Sequence, residues 1–474
     1  MRAGDAGDGD GGGGRDGAIE VRSPWDRRLL GAVPAQSAAE VDAAVSAALD
    51  CRRGPDLPAH ERAAILDRAA VALTEGAERF ARSIASEAAK PVRAARAEVA
   101  RAADTLRFSA AVARTLGGEV VPLDASAAGA GRIGLVLRVP IGVVAAISPF
   151  NFPLNLVCHK VGPALAAGCP VVLKPAPATP LTALLLATTL AEAGLPTGWL
   201  NVVTCTNDVA GALVDHPGVA LISFTGSAAV GWDIRSRAPR KRVNLELGNN
   251  STVIVEPDGD AGLESTAAKV AAGGYAFAGQ TCISVQRVLV HHSVRDRFVE
   301  ALVACVADLV VGDPLDEDTD LSVLISPTAT ERVLRWIGEA EGAGARVAAG
   351  GRLDGDGVLL PCVLTHVTPD MRVCHDEVFG PVVGVQAYDD FDEAVDLAND
   401  TRFGLQVGVF TRDLARALDA ARRLAFGGVL INEVPTWRAD QMPYGGVRDS
   451  GNTREGPRYA AEEMTESRLV VLAP

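Results

Sequence analysis

Cys282 stands in Phe277-Ala-Gly-Gln-Thr-Cys-Ile-Ser-Val-Gln-Arg287, beyond Gly279 and Gln280, in a stretch too poor in helix formers for its thiol to be one more apolar residue of a helix. A thiol there is a candidate nucleophile, although free cysteines more often only pack. Attack on a carbonyl needs a donor for the oxyanion. Asn151 offers one in Ser148-Pro-Phe-Asn-Phe-Pro153, where two prolines fix the backbone around its amide. The competing reading is an Asx-turn residue. A base is needed as well. Glu246, in Asn244-Leu-Glu-Leu-Gly248, puts a carboxylate at the end of an apolar run, to act as general base or as an interdomain salt-bridge partner. Lys174 can reach cofactor hydroxyls or phosphates, or be a solvated strand end. Gly226 permits a tight turn and Ser227 suits an N-cap. With the helix expected from Ala228 past Gly231, they aim backbone N–H groups at an anion such as a pyrophosphate. Glu377, in Glu-Val-Phe-Gly-Pro381, is a further carboxylate in a restricted turn, or a cap.

Positioning these groups calls for strands with helices between them. Short β-branched runs at 143–147, 171–173, 200–203, 221–224, 243–245 and 253–255 alternate with helical stretches near 157–167, 180–193, 206–214 and 228–237. A second set follows, with strands near 286–290, 359–363, 382–387, 406–410 and 428–431, and helices near 261–277, 294–309, 327–342 and 412–424. Continuous apolar strands separated by helices predict parallel sheets covered on both faces, which bind ligands at the strands' carboxyl ends. The expected class is α/β, with two doubly wound α/β domains and a break near Gly248. Before them come β-like pieces around Val21 and Leu29, a helix started by Ser37, and two or three long helices over 60–117. A strand at 133–139 and a terminal strand at 467–472 complete the set, and the latter must pair with something to stay ordered.

The chain has 474 residues, 48% of them hydrophobic, which is long enough for two cores. Its formal charge of −14 disfavours nucleic acid or an anionic membrane as a general partner. Eight cysteines without CxxC pairs or zinc-like spacing suit reduced thiols in a cytoplasmic protein with no metal site. Residues 1–17 form a Gly/Asp-rich tail expected to be disordered. Its formal GxGxxG match at 7–12 has no strand before it and no helix after it, so it is discarded. The apolar stretches 139–150 and 161–173 are interrupted by proline, glycine and, just before the second, Lys160, so neither spans a bilayer.

The order and spacing of Pro-Phe-Asn-Phe-Pro at 149, Leu-Lys-Pro-Ala at 173, Phe-Thr-Gly-Ser at 224, Leu-Glu-Leu-Gly at 245, Gly-Gln-Thr-Cys at 279, Glu-Val-Phe-Gly-Pro at 377 and Met-Pro-Tyr-Gly-Gly-Val-Arg-Asp-Ser-Gly at 442 resemble the aldehyde dehydrogenase superfamily from about residue 18 to the terminus. The resemblance implies an atypical Rossmann cofactor domain at 18–121 and 142–248, and a catalytic domain at 249–441. It also implies bridging strands at 122–141 and 465–474 that pair between subunits of a homodimer or homotetramer. It makes Cys282 the thiolate that forms a thiohemiacetal and then a thioester, Asn151 and the Cys282 N–H the oxyanion donors, and Glu246 the base for hydrolytic water. Lys174 and Glu377 become ribose contacts, Phe379 a neighbour of the nicotinamide, and Gly226 to Gly231 the pyrophosphate turn of an NAD or NADP site.

Departures carry the finer expectations. Pro177 stands where many NAD-preferring members have a ribose-binding glutamate, so a 2′-phosphate is not repelled. Asn249 replaces a glycine beside the base, Arg448 a lysine and Thr453 a glycine. Asp104 to Arg107 and the loop 433–440 with Trp437 resemble the branch of lactaldehyde and non-phosphorylating glyceraldehyde-3-phosphate dehydrogenases. Arg107 is thereby a candidate for an anionic or hydroxylated head group, with a surface arginine as the plain alternative. Thr281 before the cysteine and Phe152 after the asparagine, where phosphonate-handling members resemble one another in arginine and histidine, rank a phosphonate lower. The expected activity is NAD(P)-dependent oxidation of a small polar or hydroxylated aldehyde to its acid. The alternatives are a CoA-acylating semialdehyde dehydrogenase and a silent dinucleotide-binding scaffold.

Overall fold

The computed structural model describes residues 17–473; the tail expected at 1–17, with its glycine motif, lies outside them apart from Gly17. The strands Val143–Ile147, Val171–Lys174, Leu200–Val202, Val219–Thr225 and Arg242–Glu246 form a five-stranded sheet, parallel throughout. The chain runs outward from Val143–Ile147 to one edge and then returns to fill the other side. The order therefore reverses between Val143–Ile147 and Val219–Thr225, and the crevice at their carboxyl ends is the natural ligand site. Every residue of Val143–Ile147 and Val171–Lys174 is buried, as continuous apolar strands under two helical layers require.

A seven-stranded sheet takes the order Arg346–Ala349, Cys362–Thr365, Val382–Tyr388, Arg287–His291, Thr252–Val255, Gln406–Phe410, Gly428–Ile431. Only its first pair is antiparallel. Thr252–Val255, the last of the first set of runs in sequence, thus belongs to this second sheet. The crossing at Gly248 carries the chain from one sheet to the other.

Three helices, Ala59–Glu75, Ala77–Ala88 and Val92–Thr115, pack over the first sheet. Pro91, which cannot donate within a helix, separates the last two, and Ala89, two residues before it, is left-handed (φ 53). The helix Ala38–Arg53 is started by a capping box: Ser37 Oγ accepts from the Glu40 N–H and the Glu40 carboxylate from the Ser37 N–H.

The terminal strand Thr465–Leu472 finds its partner within the chain. It pairs antiparallel with Ile133–Pro140, whose other neighbour is Glu119–Val121. Glu119–Val121 therefore joins this three-stranded sheet, and is not part of the unit expected at 18–121. Val120, Ile133, Leu137, Leu469 and Val471 remain exposed on it. No helix among the described residues is long and apolar enough to cross a membrane.

Candidate active site

A cavity of about 530 Å³ runs between the two large sheets, and Asn151, Lys174, Pro177, Gly226, Ser227, Glu246, Cys282, Glu377 and Phe379 all line it. Arg107, Phe152, Gly231, Thr281 and Trp437 do not.

The turn holding Cys282 is set by backbone that few residues tolerate. Phe277, Ala278 and Gly279 are successively left-handed (φ 49, 53 and 72). A Cβ on Gly279 would stand 2.1 Å from the Gly380 carbonyl oxygen, so only glycine lets the Phe379-Gly380 turn approach. Phe379 is itself left-handed (φ 47), and its ring meets Phe150 edge-on at 5.9 Å. Gln280 pins the turn by accepting the Ile325 N–H (2.9 Å) through Oε1. Asn151 Nδ2 donates to the Gln280 carbonyl (2.8 Å), which leaves the second hydrogen of its amide for a ligand. Cys282 Sγ lies 3.0 Å from the Tyr444 hydroxyl. Burial pushes the thiol up to about 12, and the hydrogen bond with Tyr444 is the chief opposing influence. Tyr444 is a residue that the sequence does not single out, although it stands inside the motif at 442–451.

Glu246 closes the edge strand Arg242–Glu246 and is buried with neither carboxylate oxygen hydrogen-bonded. Burial first, then the neighbouring Glu455, pushes its carboxyl well above the ordinary range. The loop 444–455 folds against it. A Cβ on Gly445 would come 2.8 Å from Glu246 Oε1, and one on Gly451 2.2 Å from the Leu245 carbonyl oxygen. Asn249 turns its side chain away, towards Ser251 Oγ (2.8 Å) and the Gln406 carbonyl (3.3 Å), while its N–H donates to Glu377 Oε1 (3.1 Å). Asparagine in place of glycine thus ties the loop to the second sheet. Arg448, left-handed (φ 55), donates to the carbonyls of Asn399, Thr401 and Ala425, far from the chemistry.

The cofactor-facing wall fits a dinucleotide. Ser227 precedes the helix Ala228–Arg237, and its buried hydroxyl makes no hydrogen bond, so the N–H groups of the first turn have no side-chain cap. Gly231 sits inside that helix, where a Cβ would come 2.4 Å from the Leu247 side chain; its role is close helix-to-strand packing. Lys174 Nζ reaches Asn207 Oδ1 (2.7 Å) beside Pro177. Glu377 is raised to about 7 by burial, against the Asn249 N–H that favours its charge.

Behind Cys282, outside the cavity's lining, charged side chains are packed together. The side chain of Arg438 is buried, with its guanidinium 3.8 Å from the centroid of the Tyr444 ring. Its Nη2 meets Glu455 Oε2 (2.9 Å) and His159 Nε2 (3.0 Å), while its Nε makes no hydrogen bond. His159 also meets Asp440 (3.0 Å), and its Nδ1 makes no hydrogen bond. Burial, then Arg438, lowers the imidazole's pKa and so favours its neutral form. Lys160 Nζ donates to Ser223 and Thr225 and stands 3.9 Å from Glu455. Arg101 holds Asp440 through two bonds (3.0 and 2.8 Å), its guanidinium 6.0 Å from the Phe152 ring.

Arg107 is a correction. It lies on the outer face of its helix, bound to Asp104 (2.8 Å) and Thr74 (2.9 Å). Trp437 is half exposed outside the cavity. Phe152 packs on buried Lys90, and Thr281 is buried with its hydroxyl making no hydrogen bond.

A sequence model of the aldehyde dehydrogenase family matches residues 13–470. A 3-sulfolactaldehyde dehydrogenase of Priestia megaterium is 46% identical over 96% of this chain and 94% of its own. A lactaldehyde dehydrogenase of Methanococcus aeolicus is 36% identical over 96% and 97%. The crystal structure of a glyceraldehyde-3-phosphate dehydrogenase from Methanocaldococcus jannaschii, complexed with NADP, superposes with a TM-score of 0.91 at 36% identity, over 96% of this chain and 99% of that one.

Proposed function

The chain belongs to the aldehyde dehydrogenase family and carries out NAD(P)-dependent aldehyde oxidation; from that premise we propose that it converts a small aldehyde with an anionic or hydroxylated head group into the free acid. The observation that carries the substrate class is Arg438. Its ring contact with Tyr444 sets it one aromatic side chain away from the Cys282 sulfur, outside the cavity's lining, with Nε making no hydrogen bond and Asp440 Oδ1 4.0 Å from it. A guanidinium charge this close to the sulfur favours an aldehyde that brings an anionic group. The sulfonate and phosphate in the names of two similar enzymes have this chemistry.

In the proposed sequence the Cys282 thiolate adds to the aldehyde carbon, with the Tyr444 hydroxyl as the donor that favours the charged sulfur. The second hydrogen of the Asn151 amide and the Cys282 N–H receive the oxyanion. The thiohemiacetal carbon then loses its hydrogen as hydride while the oxyanion reforms the carbonyl, giving a thioester; NAD or NADP, held by Lys174, Glu377 and the turn at Gly226, would supply the hydride acceptor. Glu246 then takes a proton from water as its oxygen adds to the thioester carbonyl, the C–S bond breaks, and the acid leaves. Pro177 stands where a carboxylate would repel a 2′-phosphate, and Lys174 Nζ donates to the neutral amide of Asn207 (2.7 Å), which supports use of NADP. The exposed apolar residues of the three-stranded sheet support a homo-oligomer in which that sheet is covered by a second copy. The eight free thiols suit the cytoplasm.

The test is cofactor reduction over matched anionic and neutral aldehydes of equal length, with NAD and NADP in parallel and Cys282→Ser as control. Preference for neutral aldehydes overturns the substrate class, and acyl-CoA in place of free acid overturns the hydrolytic step. Full activity of Cys282→Ser removes the nucleophile. A monomer by light scattering overturns the oligomer.

A further inference from the structure

Lys90 is almost wholly inaccessible, yet no step above uses it. It follows the left-handed Ala89 and precedes Pro91, at the sharp turn between two helices. Its ammonium group pairs with Glu98 and lies 3.6 Å from the centroid of the Phe152 ring and 4.7 Å from that of Phe277. These two rings belong to different loops of the site. Phe152 adjoins the oxyanion donor Asn151. Phe277 opens the left-handed turn that leads to Gln280 and Cys282. The loops touch at the bond from Asn151 Nδ2 to the Gln280 carbonyl (2.8 Å).

Glu98 extends the contact. The helix Asn155–Ala167 begins at Leu154, which has no side chain able to cap it. Glu98 Oε1 takes that place from another helix, accepting the N–H groups of Leu154 (3.0 Å) and Asn155 (3.1 Å), while Oε2 faces Lys90. The turn 151–155 is therefore held at its end by Glu98 and at Phe152 by Lys90. A buried ion pair is a poor source of stability, since apolar residues of the same volume often serve as well or better. What a buried ammonium between two aromatic faces does supply is fixed relative position, because the attraction is directed at both ring faces in a desolvated site.

We propose that Lys90 is a positioning residue for aldehyde oxidation, its ammonium clamping Phe152 and Phe277 so that the Asn151 amide and the Cys282 sulfur are set for one carbonyl before the substrate arrives. The inference rests on the roles proposed above for Asn151 and Cys282.

The experiment compares wild type, Lys90→Met, Lys90→Arg and the double variant Lys90→Met, Glu98→Gln. The Glu98→Gln change keeps an oxygen for the two helix N–H groups and leaves no bare carboxylate, so the double variant preserves the cap if the single one unfolds. Stopped-flow formation of reduced cofactor reads the step that needs both loops, and cofactor binding by fluorescence reads the other wall. The expected result is a burst slowed on the order of 10- to 100-fold in both Met variants, with the aldehyde KM and the cofactor Kd within about 2-fold of wild type. Lys90→Arg, still charged, should recover part of the rate. A double variant with a wild-type burst would show that Lys90 only neutralises Glu98, and would overturn the proposal. So would a folded Lys90→Met with an unchanged burst. Wild-type enzyme that reduces no cofactor with any aldehyde overturns the underlying reading instead.

Discussion

The cavity wall and the layer packed behind Cys282 are built on different principles. The turns of the cavity wall, at Gly226-Ser227, the Gly248 crossing and Phe379, are set by backbone, with Lys174, Arg332, Arg372 and Arg402 standing around them and Ser227 Oγ making no hydrogen bond. Behind Cys282, outside the cavity's lining, lies a layer of buried side-chain charge in which Arg438, Glu455, His159, Asp440 and Arg101 pair with one another, while Arg438 Nε, His159 Nδ1 and Glu455 Oε1 make no hydrogen bond. A backbone wall recognises a ligand whose shape does not change from one relative to another. A side-chain layer can be rewritten one residue at a time, and that is where specificity can change while the fold stays.

The largest expected effect probes the seam between the two. Glu246→Gln should lower steady-state turnover about 1,000-fold while leaving the first hydride burst in stopped flow, because only water activation is lost. An equally diminished burst would place Glu246 in the first step. Burial and Glu455 raise this carboxyl, and it works as a base only when ionised. Turnover should therefore climb as pH rises through its raised pKa and fall away below it; a flat profile from about pH 5 to 9 would contradict the role.

The charged layer comes next. Arg438→Leu with Glu455→Gln, which removes the charge left behind, should cut kcat/KM for an anionic aldehyde about 100-fold. A neutral aldehyde of equal length should lose far less, and cofactor binding by calorimetry should hold. On the backbone wall, Pro177→Glu should weaken NADP about 10-fold through repulsion of the 2′-phosphate, with NAD and aldehyde KM little changed. Either variant altering the other's ligand would break the division. Smallest of all, Tyr444→Phe removes the donor that eases ionisation of Cys282, and alkylation by iodoacetamide should slow about 3- to 10-fold. An unchanged rate would mean that the hydroxyl does not serve the thiolate.

The same contrast explains what the sequence discloses. Asn151, Lys174, Gly226, Glu246 and Glu377 sit in contiguous motifs because strand ends and tight turns are local structures, and the alternation of apolar runs with helices is enough to expect the α/β class. The charged layer has no local signature. Arg101 and Asp440 meet across 339 residues of sequence, and such a pairing has no periodicity to betray it. Arg107 passes for Arg101's kind of residue because a helical arginine does not announce its face. Six positions apart, the two point about 120° away from each other, and Thr105 and Ser109 mark the buried side. The helix Phe391–Asn399 goes unread between the strands expected at 382–387 and 406–410, although Asp390 caps it, its side chain accepting the Glu393 N–H. The edge strand Arg346–Ala349 has no legible start, being short, irregular in register and followed by two glycines.

The high thiol pKa set by the burial of Cys282 has a consequence for the life of the protein outside turnover. Peroxide and air oxidise the thiolate, not the thiol. Burial pushes this sulfur up, which favours the protonated form and so works against sulfenic acid formation. The enzyme should age slowly without reductant when idle. Whatever lowers that pKa during catalysis sets its rate of wear along with its rate of work.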